Sequence, residues 1–556
     1  MISVVLPADS ARTSGFWSTC SVPWLVGLLA FAFRLNAFGG FENDHFMHVA
    51  WARQLLMGAW PGRDFAEPGM PLMVLLSAAA QFVSPGFLSE LVLTAALLGA
   101  AAGFVCAVTT TMTSSRLAGV VAGLATVAWY PRFYSYPKLL VPAVTLWLLL
   151  RYIRDRSARR LWALAGWSVA AFLMRHDLGM MAALATLAGI AALGDVPRRE
   201  RAGAALRFVV LGLAIVAPYL LYVQMVEGLG EHIRVATEFG KTDQHQLRWT
   251  SPLAPESGAR AVTVGPWRLS PEGALFWLYT LLVVTGGVWM LGPRAAHERS
   301  MVAAWVTFAL LFRLVILRHP LAARLPDLAA VASLGAVIVA YRSLTRAVTS
   351  RPVRSVRALA GIVLAAVVAL GGYVGVVSAW TVVGLGDRLN QAGVRVGGGS
   401  ARRPSRSVRQ AWDGRPWSNW PNRGQEPVTV DYLRRCLSPA DRVLVTWFAP
   451  EYFVFSGRGF AGGHALFFPA SFATDHDQAL TLERLARESV PVVLLNETEK
   501  TAFGQSFPRL AAFIAEQYTV RAWFFHNADT RVGVAFRNDL HPKSDFESES
   551  WACGFD

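Results

Sequence analysis

Charge is scarce in this sequence. Of 556 residues only 16% are Asp, Glu, Lys or Arg, against roughly 25% in ordinary soluble domains. Apolar residues make up 54% and gather in long uncharged runs, which excludes a soluble or a disordered chain and points to a polytopic membrane protein. Cysteine is scarce too, four in all, which excludes a disulfide-framed secreted fold. Cys20 and Cys106 fall inside apolar runs and read as packing residues. Cys436 and Cys553 fall in the polar C-terminal part; two lone cysteines make no framework, so their pairing is left open and is not the leading expectation. Acidic residues are outnumbered, 37 against 52 Lys and Arg. Most of that excess lies in short loops between apolar runs, where it orients spans, so no nucleic-acid partner is expected. The sequence lacks an internal repeat. It also lacks a convincing cleavage site after the first apolar run, 16–38, where Leu35-Asn36-Ala37 is a poor one, and that run reads as an uncleaved span.

What is present is a series of twelve apolar blocks: 16–38, 68–83, 88–112, 117–130, 139–153, 161–174, 178–193, 205–226, 272–291, 300–317, 327–341 and 358–383. A span needs about 20 residues, and 68–83 and 117–130 are short for that. Basic loops at 151–160, 198–207, 293–299 and 341–357 face the cytoplasm by the positive-inside rule; the loops 40–67, 175–177, 227–271 and 318–326, and everything after 383, then face outward. Parity requires an odd number of crossings between 40–67 and 151–160, yet four blocks lie there. Block 68–83, opening Pro68-Gly69-Met70-Pro71, reads as the one that does not cross. The expected fold is an α-helical polytopic membrane protein of about 11–13 transmembrane helices, in a bacterial inner membrane, with a small extracytoplasmic α/β domain at the C-terminus. Its divisions are a membrane domain over 1–383, a linker over 384–427 rich in Gly, Arg, Pro and Trp, the α/β domain over 428–537 and a loose polar tail over 538–556. Within the α/β domain, 442–448, 490–495, 519–525 and 530–536 read as strands, 475–490 and 508–518 as helices, and 526–530 as a hairpin turn.

The first outward loop is unusually polar: GFENDHFMHVAWARQLLMGAWPGRDFAEPG carries Glu42, Asp44, His45, His48, Asp64 and Glu67. DHFMHVAWARQLLMGAW has the spacing of a helix lying in the membrane surface, with Phe46, Val49, Ala50, Leu56 and Met57 as its apolar positions. Asn43 or Asp44 would cap it. His45 and His48, three apart and next to Glu42 and Asp44, leave a divalent metal open. Cations recur on the same side: Arg132, Tyr136 and Lys138 lie in PRFYSYPK, Arg175, His176 and Asp177 form the turn after block 161–174, and Arg318 and His319 follow block 300–317. Any one of these could merely anchor its span at the headgroups. Carboxylates able to take a proton, facing cations able to hold a phosphate, nonetheless make a site layout.

With those residues in view, the chain resembles the GT-C superfamily of polyprenyl-phosphate-sugar glycosyltransferases, above all the bacterial aminoarabinose lipid A transferases and the protein O-mannosyltransferases. The resemblance covers residues 16–340 in layout and is sharp in GAWPGRDFAEPGMPL (58–72). It implies Asp44 as general base, with Glu42 as runner-up, on an acceptor hydroxyl or amine that displaces a polyprenyl phosphate from the anomeric carbon with inversion. His45, His48, Asp64, Glu67, Arg132, Tyr136, Lys138, Arg175, His176, Asp177, Arg318 and His319 would contact the substrates, Asp64 either orienting the acceptor or locking Arg63 and Arg53. Several relatives keep a Lys where this chain has Glu67, so other cations must meet the phosphate. The implied partners are membrane lipids, a polyprenyl-phosphate sugar and an extracytoplasmic glycan, lipid or protein acceptor. The aromatic, Gly-rich stretch 449–464 could stack on sugar rings, or the domain could serve as a lid or scaffold for the loop. A transporter or flippase of lipid-linked sugars is the main rival, though it would place its charges near mid-membrane. A protein that binds lipid-linked sugar without catalysis is the second.

Overall fold

The computed structural model describes residues 15–38, 41, 43–245, 262–264, 267–269, 271–291, 296–316, 325–349, 354–381, 428–469, 471–525, 531–540, 542–546 and 551–555. Expectations for Glu42, Arg318, His319, the 384–427 linker and the 526–530 turn fall outside them.

The twelve apolar blocks fold as helices, and the loops 40–67 and 227–271 add one each (α2 and α10): α1 (Gly15–Asn36), α2 (Asn43–Leu56), α3 (Pro71–Val83), α4 (Phe87–Thr113), α5 (Arg116–Ala128), α6 (Tyr136–Arg154), α7 (Ala158–Met174), α8 (His176–Ala191), α9 (Arg198–Val226), α10 (Leu229–His245), α11 (Pro271–Leu291), α12 (Ala296–Ile316), α13 (Ala329–Thr349) and α14 (Arg354–Thr381). Among the described residues, five stretches are long and apolar enough to cross a membrane: Phe87–Thr113, Phe133–Arg154, Arg198–Val226, Pro326–Thr345 and Ala358–Val377. Shorter apolar helices pack among them.

The bundle has two ends. At one, the basic loops meet: Arg156 pairs with Asp195, and Arg342 pairs with Glu298 at 2.7 Å and donates to the Met112 carbonyl at 3.2 Å. At the other, Arg34 of α1 donates to the Pro131 carbonyl at 2.8 Å, His176 N–H donates to Gly69 O at 3.1 Å, and the Tyr222 hydroxyl donates to Pro61 O at 2.6 Å. α3 spans only 13 residues and hands over to α4 at the same end, where Phe87 lies 5.7 Å from Phe41 and 5.4 Å from Phe455, ring centre to ring centre. It thus returns to the end of the bundle where it began, as expected for block 68–83, while α4, α5 and α6 run between the two ends.

The C-terminal domain follows the strand and helix expectations closely. Helices α15 (Val428–Cys436), α16 (Glu451–Ser456), α17 (Asp475–Arg487), α18 (Lys500–Ser506) and α19 (Pro508–Gln517) surround a five-stranded sheet. Two short strands, β1 (Val262–Val264) and β2 (Trp267–Leu269), pair before α11; the sheet itself comprises β3 (Arg442–Val445), β4 (Gly459–Phe460), β5 (Val492–Asn496), β6 (Tyr518–Phe525) and β7 (Arg531–Arg537) in the order β4-β3-β5-β7-β6. β3 runs parallel to β4 and β5, while β7 is antiparallel to β5 and β6. Every residue of β5 is buried, as a strand covered on both faces requires.

Two expectations are corrected in this region. Cys436 and Cys553 form a disulfide across 117 positions. The tail is not loose: β8 (Pro542–Phe546) and β9 (Trp551–Phe555) pair as an antiparallel hairpin, and the disulfide fastens it to α15. Backbone pairing between 542–546 and 551–555 requires no apolar run, so hydropathy does not announce it.

Candidate functional site

The first loop, the N-termini of α6 and α8, the end of α9 and α10 all converge at the end opposite the basic loops. Asp44 stands in the first turn of α2, half-buried. Among the described residues its carboxylate has no hydrogen-bond or ion-pair partner, so it does not act as a cap. It lies within electrostatic range of His48 and of the Tyr134 hydroxyl.

The two loop histidines sit inside the protein. His45 is buried, stacks on Phe41 at 4.0 Å and bonds through Nε2 to Glu90 Oε1 at 3.0 Å. Glu90 in turn accepts from the Ser77 hydroxyl at 2.9 Å. His45 therefore joins α2 to α3 and α4, and the substrate-facing expectation for it is corrected. His48 is buried beside Trp51 with its Nδ1 unpartnered. Burial pushes its pKa down to about 4, and His45 adds to the effect, so the ring is neutral at pH 7.

Asp64 locks the loop. It accepts from the Trp60 N–H at 2.7 Å and from Arg63 Nε at 2.9–3.0 Å. Partial burial raises its pKa, but Arg63 and the Trp60 N–H outweigh that and hold the carboxyl below the usual range. Among the described residues, only the Arg63 half of the locking role expected for Asp64 is present; Arg53 donates instead to Val454 O at 2.6 Å. Glu67 is buried and accepts the Met70 N–H, closing the turn into α3. Burial pushes its pKa up to about 7 despite that bond. The turn needs Gly69: its φ is +101°, and a Cβ there would lie 2.5 Å from His176 Nδ1.

Of the expected cations, Lys138 is buried in an ion pair with Asp327 of the turn Leu325–Leu328, which ties α6 to the start of α13. Tyr136 is buried. Burial thus moves Lys138 and Tyr136 from substrate contact to internal roles. Arg175 and Asp177 pair with each other, with Arg175 Nε donating to Asp177 Oδ1 at 2.7 Å, and both stay partly exposed. Arg132 is half-buried, its guanidinium donating to the Tyr134 hydroxyl. His176 stacks on Phe172 at 4.1 Å and bonds to the Tyr219 hydroxyl at 3.2 Å. Tyr219 also reaches His232 Nε2 at 3.4 Å, and His232 Nδ1 meets Glu227. Burial of His232 works against its charge, but Glu227 and Glu67 outweigh it and raise its pKa.

Sequence reasoning missed Glu90, Asp327, Tyr219, Glu227 and His232. Glu90 and Asp327 carried a signal: each is a lone carboxylate at the edge of an apolar block, where a charge is expensive unless paired. The aromatics of 449–464 are also corrected. Tyr452, Phe453, Phe455 and Phe460 are buried, and Phe455 packs 5.5 Å from Phe46 of α2. They form the seam between domain and loop and offer no face to a sugar. That seam is also hydrogen-bonded: Arg53 donates to Val454 O at 2.6 Å, Ala66 N–H to Gly463 O at 3.0 Å and Arg234 pairs with Asp477 at 2.6 Å.

Among the described residues no three or more His, Cys, Asp or Glu side chains converge in a way that could hold a metal ion, so no step below runs through one.

No protein-family model and no curated protein matches the chain. Among solved structures, it is similar to the oligosaccharyltransferase of Archaeoglobus fulgidus in the apo form, at 11% identity and a TM-score of 0.45, over 94% of this chain and 75% of that one. It is also similar to ArnT from Cupriavidus metallidurans bound to undecaprenyl phosphate, at 13% identity and a TM-score of 0.47, over 94% of this chain and 99% of that one. A third likeness is to the archaeal enzyme in complex with an inhibitory peptide and a dolichol-phosphate, at 11% identity and a TM-score of 0.43, over 94% and 74% of the two chains. These are GT-C membrane enzymes. The scores lie below 0.5, and the functional reading rests on this chain's own residues.

Proposed function

We propose that this protein is a membrane glycosyltransferase that moves a sugar from a polyprenyl-phosphate donor to an extracytoplasmic acceptor. The observation that carries the reading is Asp44: a partly exposed carboxylate without a partner among the described residues, at the start of α2. A general base must be free to take a proton and fixed in place, and α2 is fixed on both sides by His45–Glu90 and by Arg53.

In the reaction, the acceptor O–H or N–H gives its proton to Asp44. The acceptor atom bonds to the anomeric carbon as the bond from that carbon to the phosphate oxygen breaks, with inversion. Polyprenyl phosphate leaves, its charge met by Arg132 and Arg175 and by the cations of 318–319. The disulfide supports the orientation, since such bonds persist in oxidising compartments outside the cytoplasm. So do the basic loops gathered at the opposite end. Glu42 remains the alternative base. The flippase reading loses support because the polar groups lie at one end of the bundle.

The test is transfer by purified, lipid-reconstituted protein offered radiolabelled polyprenyl-phosphate sugars and a membrane extract as acceptor. Transfer by wild type that collapses in Asp44→Asn while donor binding persists supports the proposal. Label that crosses the bilayer without transfer to any acceptor sinks it in favour of the flippase.

A further inference from the structure

The first loop and the C-terminal domain enclose a cleft of about 420 Å³ that the transfer reaction does not use. Four arginines, Arg63, Arg442, Arg484 and Arg487, line it together with Asp64, Glu483 and Glu488. Two of the arginines are neutralised in exposed pairs: Arg63 with Asp64 at 2.6 Å, and Arg487 with Glu483. The other two are not. Arg442 donates to Gln54 Oε1 at 2.8 Å and lies 3.3 Å from Met57 Sδ; Arg484 donates to the Arg63 carbonyl at 3.2 Å. Both are half-buried, and among the described residues neither has a carboxylate within ion-pair distance. Glu488, the remaining acid, already accepts the Gly462 N–H at 2.7 Å.

The glycines beside them show that the positions of these two guanidinium groups are built in. A Cβ on Gly459 would lie 1.8 Å from Arg442 Nη1, and a Cβ on Gly463 would lie 2.4 Å from Arg484 Nη1 and 2.9 Å from Asp64 O. Gly463 also has a φ of +79°, which favours glycine. The Gly-rich stretch GRGFAGGH is thus the floor over which both arginines reach the cleft. Half-buried guanidinium groups that face an open cleft and have no carboxylate in ion-pair distance, with Asp64 and Glu488 acting on them only from further off, leave room for an oxyanion, which the planar fork recognises with two parallel bonds.

We propose that Arg442 and Arg484 form a second ligand site, specific for a phosphate or carboxylate group borne by a soluble glycan or by a lipid headgroup. Gln54 stands ten residues after Asp44 on α2, so the site lies about 15 Å along the helix from the proposed base.

The experiment is thermal unfolding of the full-length protein in nanodiscs, titrated with inorganic phosphate or glucuronate at constant ionic strength. A parallel arm compares nanodiscs of phosphatidylcholine with nanodiscs containing phosphatidylglycerol. A saturable rise in Tm with either soluble probe assigns a soluble-glycan source; a rise confined to phosphatidylglycerol assigns a lipid headgroup. Arg484→Gln and Arg442→Gln should weaken the response about tenfold, as loss of one charge-assisted bond implies. Arg484→Lys should retain part of it, and Arg435→Gln, which removes an exposed arginine outside the cleft that pairs with Asp431, should leave it unchanged. Responses equal in wild type and in both Gln variants, or no saturable response in any arm, overturn the proposal. A Gln variant that fails to fold is replaced by Gly463→Ala, which should displace Arg484 and lose the response while the Arg435→Gln control keeps it.

Discussion

At the scale of single residues, carboxylates a few positions apart in one loop meet different fates. Asp64 is consumed by Arg63 and the Trp60 N–H, Glu67 by its own turn, and Asp44 by nothing described. Asp44→Asn is therefore expected to lower kcat by about 10²–10⁴-fold, the usual share of a general base, with little change in donor affinity measured separately. Glu67 gives a pH prediction. Its folded pKa of about 7 stands above its ordinary value of 4.5, so the folded state holds a proton that the unfolded state releases, and this residue's contribution to stability falls as pH rises between 4.5 and 7. Glu67→Gln keeps the uncharged form throughout. Its Tm relative to wild type should climb across that window and level off above it, and a flat difference would show the carboxyl to be unshifted. His48 has the opposite sign. Its pKa is depressed to about 4, so the stability it contributes at neutral pH is lost as pH drops from about 6.5 towards 4.

At the scale of elements, the sequence revealed what hydrophobic pattern and length can reveal. The apolar blocks and the strands of the C-terminal domain follow from run length, turn residues and charge in loops. Pairings across the sequence were not legible. Nothing near Lys138 announces Asp327, 189 positions away, and nothing near His45 announces Glu90, because three-dimensional packing decides which charges meet. The Lys138–Asp327 pair is expected to be costly to break. With side chains 5% and 4% exposed, Lys138→Met leaves a buried carboxylate uncompensated and should cost about 3–5 kcal/mol, much of it recovered in a double variant that also replaces Asp327 by Leu. Detergent-resistance or Tm measurements on the single and double variants check this. Gly69→Ala tests the junction between loop and α8. It should cost about 1–3 kcal/mol through backbone strain and the encounter with His176, and should lower transfer more than donor binding.

At the scale of the whole molecule, the C-terminal domain is fastened twice, to the first loop by the 449–464 seam and to its own tail by Cys436–Cys553. Cys553→Ser should release the β8–β9 hairpin. Limited proteolysis is expected to remove residues after 540 from the variant long before wild type, with a stability loss of about 2–5 kcal/mol; equal protease resistance would show that the strands hold the hairpin unaided.

The seam has a practical consequence. Arg53 and Ala66 of the first loop and Arg234 of α10 tie that end of the bundle to the C-terminal domain, so a nanobody that grips only the domain and tilts it is expected to drag Asp44 out of register. On the proposed function, the domain is thereby a handle through which a hydrophilic binder acts on the transfer without entering the membrane.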